Sequence, residues 1–552
     1  LAAEDANNSA GFSSTNLPAQ RNFTTARTQS ITSDTWNKNT WYAYDVTGSV
    51  QEVVNRAGWA SGNKLSIIIH GLGESNQQKD VMSYNGNAAN APRLVVTYGT
   101  NTVATPQPAT ATATATLYLP TVTRTPALTG TPPTGGPKNC NYTIGTSVTS
   151  ADGAGNFASV KPGDTVCIAA GNRGGLKLSN FKGSASAPIT FINSGGTVVI
   201  NNTSNSGGIG IQLYNSQYIH LTGTGDPGAT YGIQVYNSAN SAVDTNHGGT
   251  EYVEFDHIYA QNVGAGFRTA KNNDLLDTGI VWSGHQYYIH DNYIKTTTSE
   301  AMYIGTSDTH GTFPIYDVQV WNNRIEDAGY DGIQIRQAHT RVLVHHNTIN
   351  GTGRDPCKNG SIDNTAGFNI AKGTDTGDWY DNIVIGARTA FYIKDSANVR
   401  VYNNVVLDSG HATSGLSGPD CPAGVTGTPP EGAVQILNAN NVQFMFNTIA
   451  NRTVNAAYGI QINGATGTVH DNLVGGIFNS LITGSGMTLT NNLASSSLAY
   501  FGFVNPNAND YHLTAGSPAV NQSSTSAFPP VDFDGVARPQ GMRSDAGAYE
   551  YH

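Results

Sequence analysis

One short phrase recurs through the middle of this chain: a polar residue, an asparagine, any residue, then an aliphatic. It reads Asp291-Asn292-Tyr293-Ile294, Asn322-Asn323-Arg324-Ile325 and His346-Asn347-Thr348-Ile349, and it returns at Asn382, Asn404, Asn447, Asn472 and Asn492. Successive asparagines are 31, 24, 35, 22, 43, 25 and 20 residues apart. A short minimum step with variable excess is the mark of a stacked coil that sometimes carries a loop. A second phrase lies between the first: Gly332-Ile333-Gln334-Ile335, Gly367-Phe368-Asn369-Ile370, Ala390-Phe391-Tyr392-Ile393, Ala433-Val434-Gln435-Ile436 and Gly459-Ile460-Gln461-Ile462. Two alternating strands per repeat, with no helical period, predict an all-β solenoid of parallel strands stacked about 4.8 Å apart. The aliphatic after each Asn fills the interior. The asparagines form a ladder from coil to coil, at a turn position that needs an unusual φ. They are scaffold, and chemistry is expected elsewhere.

At 552 residues the chain is too long for one compact core, so two or more domains are expected. Charged residues make up 12% and the net charge is −10, with no basic run, which excludes bulk nucleic-acid binding. No apolar run approaches the roughly 20 residues that span a bilayer. The first residue is Leu and no signal peptide precedes it, so a processed or truncated start is expected. None of Cys140, Cys167, Cys357 and Cys421 forms a metal-type CxxC pair. Two disulfides, Cys140 with Cys167 and Cys357 with Cys421, are expected. The alternative, four thiols, suits a cytosolic chain and not this composition.

Residues 1–100 carry strand-like runs, Lys64 to Ile69 and Arg93 to Tyr98, and one amphipathic stretch, Val46 to Ala57, that predicts a short helix. The phrase from Asp45 to Asn63, closed by Ala91 to Tyr98, resembles the C-terminal half of the β-sandwich accessory modules of secreted bacterial proteins, many of them carbohydrate-binding-like. Half a sandwich leaves open edges that recruit strands. Residues 101–137 are rich in Thr, Pro and Ala and read as an extended linker; Leu117-Tyr118-Leu119-Pro120 within it alternates as a strand would. The solenoid then runs over 138–500. Its opening, Val160 to Gly171, Ala187 to Asn193 and Gly195 to Ile200, resembles the first coils of right-handed parallel β-helix proteins, many of which are secreted polysaccharide lyases and hydrolases. The tail over 501–552, with Tyr511 to Ala519 and Asp532 to Pro539, looks like the C-terminal cap of the same group. The resemblance implies an extracellular or cell-surface protein.

Alternation within the second phrase predicts a face for chemistry. One outward column reads Arg268, Tyr303, Gln334, Asn369, Tyr392, Gln435 and Gln461. The next reads Ala270, Gly305, Arg336, Ala371, Lys394, Leu437 and Asn463, and the position before each strand reads Ala265, Glu300, Asp331, Ala366 and Thr389. Glu300 and Asp331 then sit on adjacent coils. Paired carboxylates repel, so one has a raised pKa or a cation such as Ca²⁺ lies between them. Tyr303 and Tyr392 suit sugar rings, Gln334 and Asn369 suit hydroxyls, and Arg268, Arg336 and Lys394 suit an acidic polymer. The segment Thr306 to Pro314, with His310, and the long loops around Cys357 and Cys421 are expected to wall the groove. Outward amides and tyrosines are also what any β-helix shows to water. Lys271 and His345 read as surface or corner residues.

Two functions compete. The first is a secreted enzyme acting on an acidic polysaccharide. As a lyase it would neutralise a uronate with Ca²⁺ or Arg336 and use Lys372, beside Asn369, as base. As a hydrolase it would divide acid and base roles between Glu300 and Asp331. The Asn-Thr-Asp, Asp-Asp and Gly-His-Gly signatures of pectin-type hydrolases are absent, as is a placeable Lys-and-Arg pattern of chondroitin or alginate lyases. The second is a non-catalytic surface, adhesin or filament protein assembled by strand donation through the incomplete N-terminal module.

Overall fold

The computed structural model describes residues 2–9, 21–24, 46–56, 58–59, 63–68, 139–202, 208–271, 274, 282–306, 313–353, 365–410, 432–524 and 529–552. The chain divides into two compact units, Leu1–Ala111 and Thr112–His552.

In the first unit Ala2–Ala3 pairs antiparallel with Ile67–Ile68. The amphipathic stretch forms the helix Thr47–Val54, shorter than the sequence pattern and with Val53 fully buried. Arg21 and Glu4 form a mostly buried ion pair at 2.6 Å. A β-sandwich is not among the described residues of this unit. The run from Arg93 to Tyr98, the linker over 101–137 and the strand-like Leu117 to Pro120 lie outside them.

The second unit is a right-handed parallel β-helix. Its described residues hold one sheet of 34 strands, in which every pairing is parallel. The strands fall into three ladders visited in rotation. Ser241–His247, Glu251–Asp256 and Ile258–Val263 make one coil, and Ala265–Thr269, Gly284–His290 and Tyr293–Thr297 make the next. Each strand pairs with its counterpart one coil away: Val243 with Phe267, Val253 with Tyr287, Tyr259 with Tyr293. Parallel neighbours joined by crossovers turn right-handed for the same steric reason as βαβ units. The aliphatic residues after seven of the eight ladder asparagines, Ile294, Ile325, Ile349, Val384, Val406, Ile449 and Val474, are at most 1% exposed, while Ala494, after Asn492, is exposed. Each of the seven contributes about 1.5–3 kcal/mol of burial.

The asparagine ladder forms as the repeats predict. Nδ2 of Asn292 donates to Oδ1 of Asn323 at 3.1 Å, and the chain of amides continues through Asn347, Asn382, Asn404, Asn447 and Asn472 to Asn492 at 2.8–3.1 Å. The unusual φ, however, falls one residue earlier than expected. Asp291, Asn322, His346, Asp381, Asn403, Phe446, Asp471 and Asn491 have φ of 51–57°, and the ladder asparagines do not. The bend is made by the preceding residue. The asparagine that follows caps it, donating to the carbonyl two residues back, as Asn404 does to Tyr402 at 2.9 Å.

The second phrase opens with Gly or Ala for a steric reason. A Cβ on Gly266, Gly332, Gly367 or Gly459 would stand 2.4–2.8 Å from a carbonyl oxygen of the next coil. At these glycines, on the corner between the third and first ladders, even a methyl would collide with the next coil.

Cys140 and Cys167 are joined, with Cα atoms 5.5 Å apart, as expected. Cys357 and Cys421 lie outside the described residues. The C-terminal segment covers the outer side of the third ladder. Ile383, Val405, Leu407, Ala450 and Leu473 face outward there and pack under Phe501, Phe503, Tyr511, Phe533 and Tyr549.

Candidate functional site

The predicted columns are realised in register on the first ladder. Arg268 pairs with Tyr303, Tyr303 with Gln334, Gln334 with Asn369, Asn369 with Tyr392, Tyr392 with Gln435 and Gln435 with Gln461. The next column also aligns: Arg336 with Ala371, Ala371 with Lys394, Lys394 with Leu437. Toward the N-terminus the first column continues through Asp244, which pairs with Arg268. Burial holds the Asp244 carboxyl above its ordinary range.

Alternation gives the side correctly but not the exposure. Gln334, Asn369 and Tyr392, expected to line an open groove, are 1%, 0% and 3% exposed. Each is on the outward side of its strand, since Ile333, Ile335, Phe368 and Ile370 beside them are in the interior core. This stretch of the face is sealed on both sides. The open part lies on the two coils just before it. A groove of about 420 Å³ is lined by Arg268, Lys271, Glu300, Tyr303 and Tyr330, with backbone and small side chains between them. Lys271, assigned from sequence to the surface, belongs to it: its Nζ lies 5.9 Å from the centre of the Tyr303 ring. Arg268 donates through NH1 to Asn240 Oδ1 at 2.7 Å, while its buried Nε has no hydrogen-bond partner among the described residues.

Glu300 and Asp331 come together as the adjacent-coil register predicts, but only Glu300 reaches the groove. Asp331 is fully buried behind it. Its Oδ1 accepts from the Ala366 N–H at 2.7 Å and its Oδ2 from the Asn369 amide at 2.8 Å. Burial and then the Glu300 charge push the Asp331 carboxyl up to about 8, while those two hydrogen bonds and the nearby Arg336 guanidinium pull against them. Ser299 Oγ donates to Glu300 Oε2. Arg336 is 5% exposed, and its Nε, like Gln334 Nε2, is buried with no hydrogen-bond partner among the described residues.

The donors around Glu300 and Asp331 fit Ca²⁺ poorly. A hard cation takes six to eight oxygens. Here one carboxylate of the pair already gives both oxygens to N–H donors and has the Arg336 guanidinium nearby. Among the described residues no third acidic or histidine side chain joins them.

Lys372 sits exposed in a turn just past its strand, with φ of 49°. Lys394 is half-buried, its Nζ 5.8 Å from the centre of the Tyr392 ring. His310 and the loops around Cys357 and Cys421, expected to wall the groove, lie outside the described residues.

Sequence reasoning missed a second cluster, on the second ladder. His220, Glu254 and Asp256 place their donor atoms within 4.8 Å of one another. Strand alternation was the available signal, since His220 aligns with Glu254, and Thr222 with Asp256.

No family model and no curated protein matches the sequence. Among solved structures the chain is similar to a pectate lyase, at 12% identity over 75% of this chain and 97% of that one, with a TM-score of 0.36. It is similar to an alginate lyase from Paenibacillus sp. at 15% identity over 64% and 99%, with a TM-score of 0.32. A GH136 lacto-N-biosidase from Eubacterium ramulus is similar at 12% identity over 64% and 68%, with a TM-score of 0.41. The likeness is one of fold.

Proposed function

We propose that this protein is a secreted polysaccharide-active enzyme that holds a uronate-containing chain in the first-ladder groove and cleaves it by β-elimination. The observation that carries this reading is the groove lining: two cations, Arg268 and Lys271, beside two tyrosines and a single carboxylate, Glu300. Arg268 and Lys271 pair with the uronate carboxylate and withdraw its charge, which acidifies the C5–H bond. Glu300 takes the C5 proton. The C4–O bond breaks as the C4=C5 double bond forms, and the Tyr303 phenol gives its proton to the leaving oxygen. Tyr330 offers a ring edge to the sugar. Asp331 does not touch the polymer; it lies buried on the coil next to Glu300.

Elimination is favoured over hydrolysis by the burial of Asp331. A two-carboxylate hydrolase needs both groups against the glycosidic bond, and here only Glu300, itself 5% exposed, lines the groove, while Asp331 does not. The Cys140–Cys167 disulfide supports an oxidising, extracellular setting.

The test is incubation of the full chain with plant, algal and bacterial acidic polysaccharides. The expected result is ultraviolet absorbance from unsaturated uronates. New reducing ends without that absorbance would make the enzyme a hydrolase. Silence on both, with fibres seen by electron microscopy, would replace the proposal with a filament assembled by strand donation.

A further inference from the structure

We propose that the second ladder carries an open site for a divalent transition metal, of the Zn²⁺ or Mn²⁺ class, with His220, Glu254 and Asp256 as its three protein ligands. The donor atoms of these residues lie within 4.8 Å of one another, which lets a single ion at about 2.0–2.2 Å from each be shared with little movement. His220 Nε2 already lies 2.5 Å from Asp256 Oδ2. One imidazole with two carboxylates suits borderline divalent ions better than Ca²⁺, which prefers an all-oxygen set.

The surroundings are those of a held site rather than of loose surface charges. The other oxygen of Asp256 is fixed by Thr222 Oγ1 at 2.5 Å and by His257 Nδ1 at 2.6 Å. Glu254 Oε1 meets His290 Nε2 at 3.0 Å, and His290 is anchored through Nδ1 to Asp291 at 2.7 Å. The Trp321 ring lies flat on His290, with centroids 4.0 Å apart, so that imidazole cannot turn away. Partners of this kind, which orient ligands without touching the metal, are half of a working metal centre. Asp256 is 5% exposed, while His220 and Glu254 are 28% and 38% exposed at the side chain, so the site is closed behind and open in front. Three protein ligands with an open front leave room for water or a substrate oxygen. The ligands come from strands Gln217–Thr222 and Glu251–Asp256, so the ion also ties two coils together.

The experiment titrates the full chain with Zn²⁺ alone by calorimetry, and with Co²⁺ alone by visible absorption. The expected result is one equivalent bound, a rise in Tm with Zn²⁺, and Co²⁺ d–d bands of a low-symmetry nitrogen and oxygen site. Glu254→Gln, an isosteric change at a partly exposed residue, abolishes the binding, as does His220→Ala. Thr222→Val keeps all three ligands and weakens the affinity about 10–100-fold by releasing Asp256. Far-UV circular dichroism of each variant shows that the coils are intact. Absence of Zn²⁺ binding by the unaltered chain overturns the proposal. So does binding that persists unchanged in folded Glu254→Gln, which would place the ion elsewhere.

Discussion

Asn404 Nδ2 lies 2.9 Å from Asn447 Oδ1, although 43 residues separate them, and the step from Asn382 to Asn404 spans the same one-coil rise in 22 residues. The ladder is indifferent to what the chain does between its rungs. The buried amides hold the described strands in register whatever the length of chain between them.

Asn404→Ala is therefore expected to destabilise the solenoid by about 3–5 kcal/mol, the sum of several buried groups left without partners. The carbonyls of Trp379 and Tyr402 lose a donor, and the Asn382 N–H loses its acceptor. Denaturant unfolding measures the loss. Hydrogen exchange should show it spreading to the Asn382 and Asn447 coils while those near Asn292 stay protected.

Asp331 makes stability depend on pH. Its folded carboxyl is raised to about 8 from an ordinary 3.8. The folded chain then holds a proton that the unfolded chain has released, so stability is full below about pH 4, falls as pH rises, and levels off above about 8. The slope from this group is at most about 1.4 kcal/mol per pH unit. Asp331→Asn mimics the protonated form and should flatten the fall in Tm between those limits. An unchanged slope in a folded variant would show that Asp331 is ionised at neutral pH.

The fold was legible because a strand that must stack on its own copy leaves a period, and the Asn phrase marks each coil. The same phrase held an unread signal for the cap. Its variable residue is Tyr293, Arg324 and Thr348 in open coils, then Ile383, Val405, Thr448 and Leu473 where the C-terminal segment lies over that face, the polar Thr448 accepting there from the Ala548 N–H. Site residues were legible as to side, since Glu300, Asp331 and Arg336 come together as alternation requires. Exposure was not legible. Parity says which way Gln334 and Asn369 point and nothing about what covers them. The His220, Glu254 and Asp256 cluster was missed for a physical reason. It lies on coils before Asn292, where Ile258 occupies the ladder position, so the ruler had not yet begun.

Arg538 fastens the C-terminal segment. It is almost wholly buried, donates to Glu550 Oε1 at 2.6 Å and to the Asp545 and Gly547 carbonyls at 2.9 and 2.8 Å, and lies 4.7 Å from the centre of the Phe446 ring. Arg538→Met leaves the Glu550 carboxyl buried without its cation, at an expected cost of about 3–5 kcal/mol. The apolar outer residues Ile383, Val405 and Leu473 should then open to solvent. Hydrophobic-dye binding well below the main unfolding transition would report it. Arg538→Met with Glu550→Gln should recover part of the loss.

The groove residues should separate by kinetic parameter. Arg268→Gln removes a cation that both binds the uronate and acidifies its C5–H bond, so KM rises and kcat falls together, with kcat/KM lower by about 10–150-fold if one charge-assisted hydrogen bond of 1.5–3 kcal/mol is lost. Glu300→Gln keeps the shape of the groove and removes the base, so kcat falls by about 10²–10⁴ while KM changes little. Lys372 stands exposed in a turn, whereas Glu300 lines the groove itself. Steady-state rates of unsaturated-product formation for Arg268→Gln, Glu300→Gln and Lys372→Met decide between the two bases. A collapse of kcat in Lys372→Met, with Glu300→Gln nearly unaffected, would move proton abstraction from the groove floor to the turn beside Asn369.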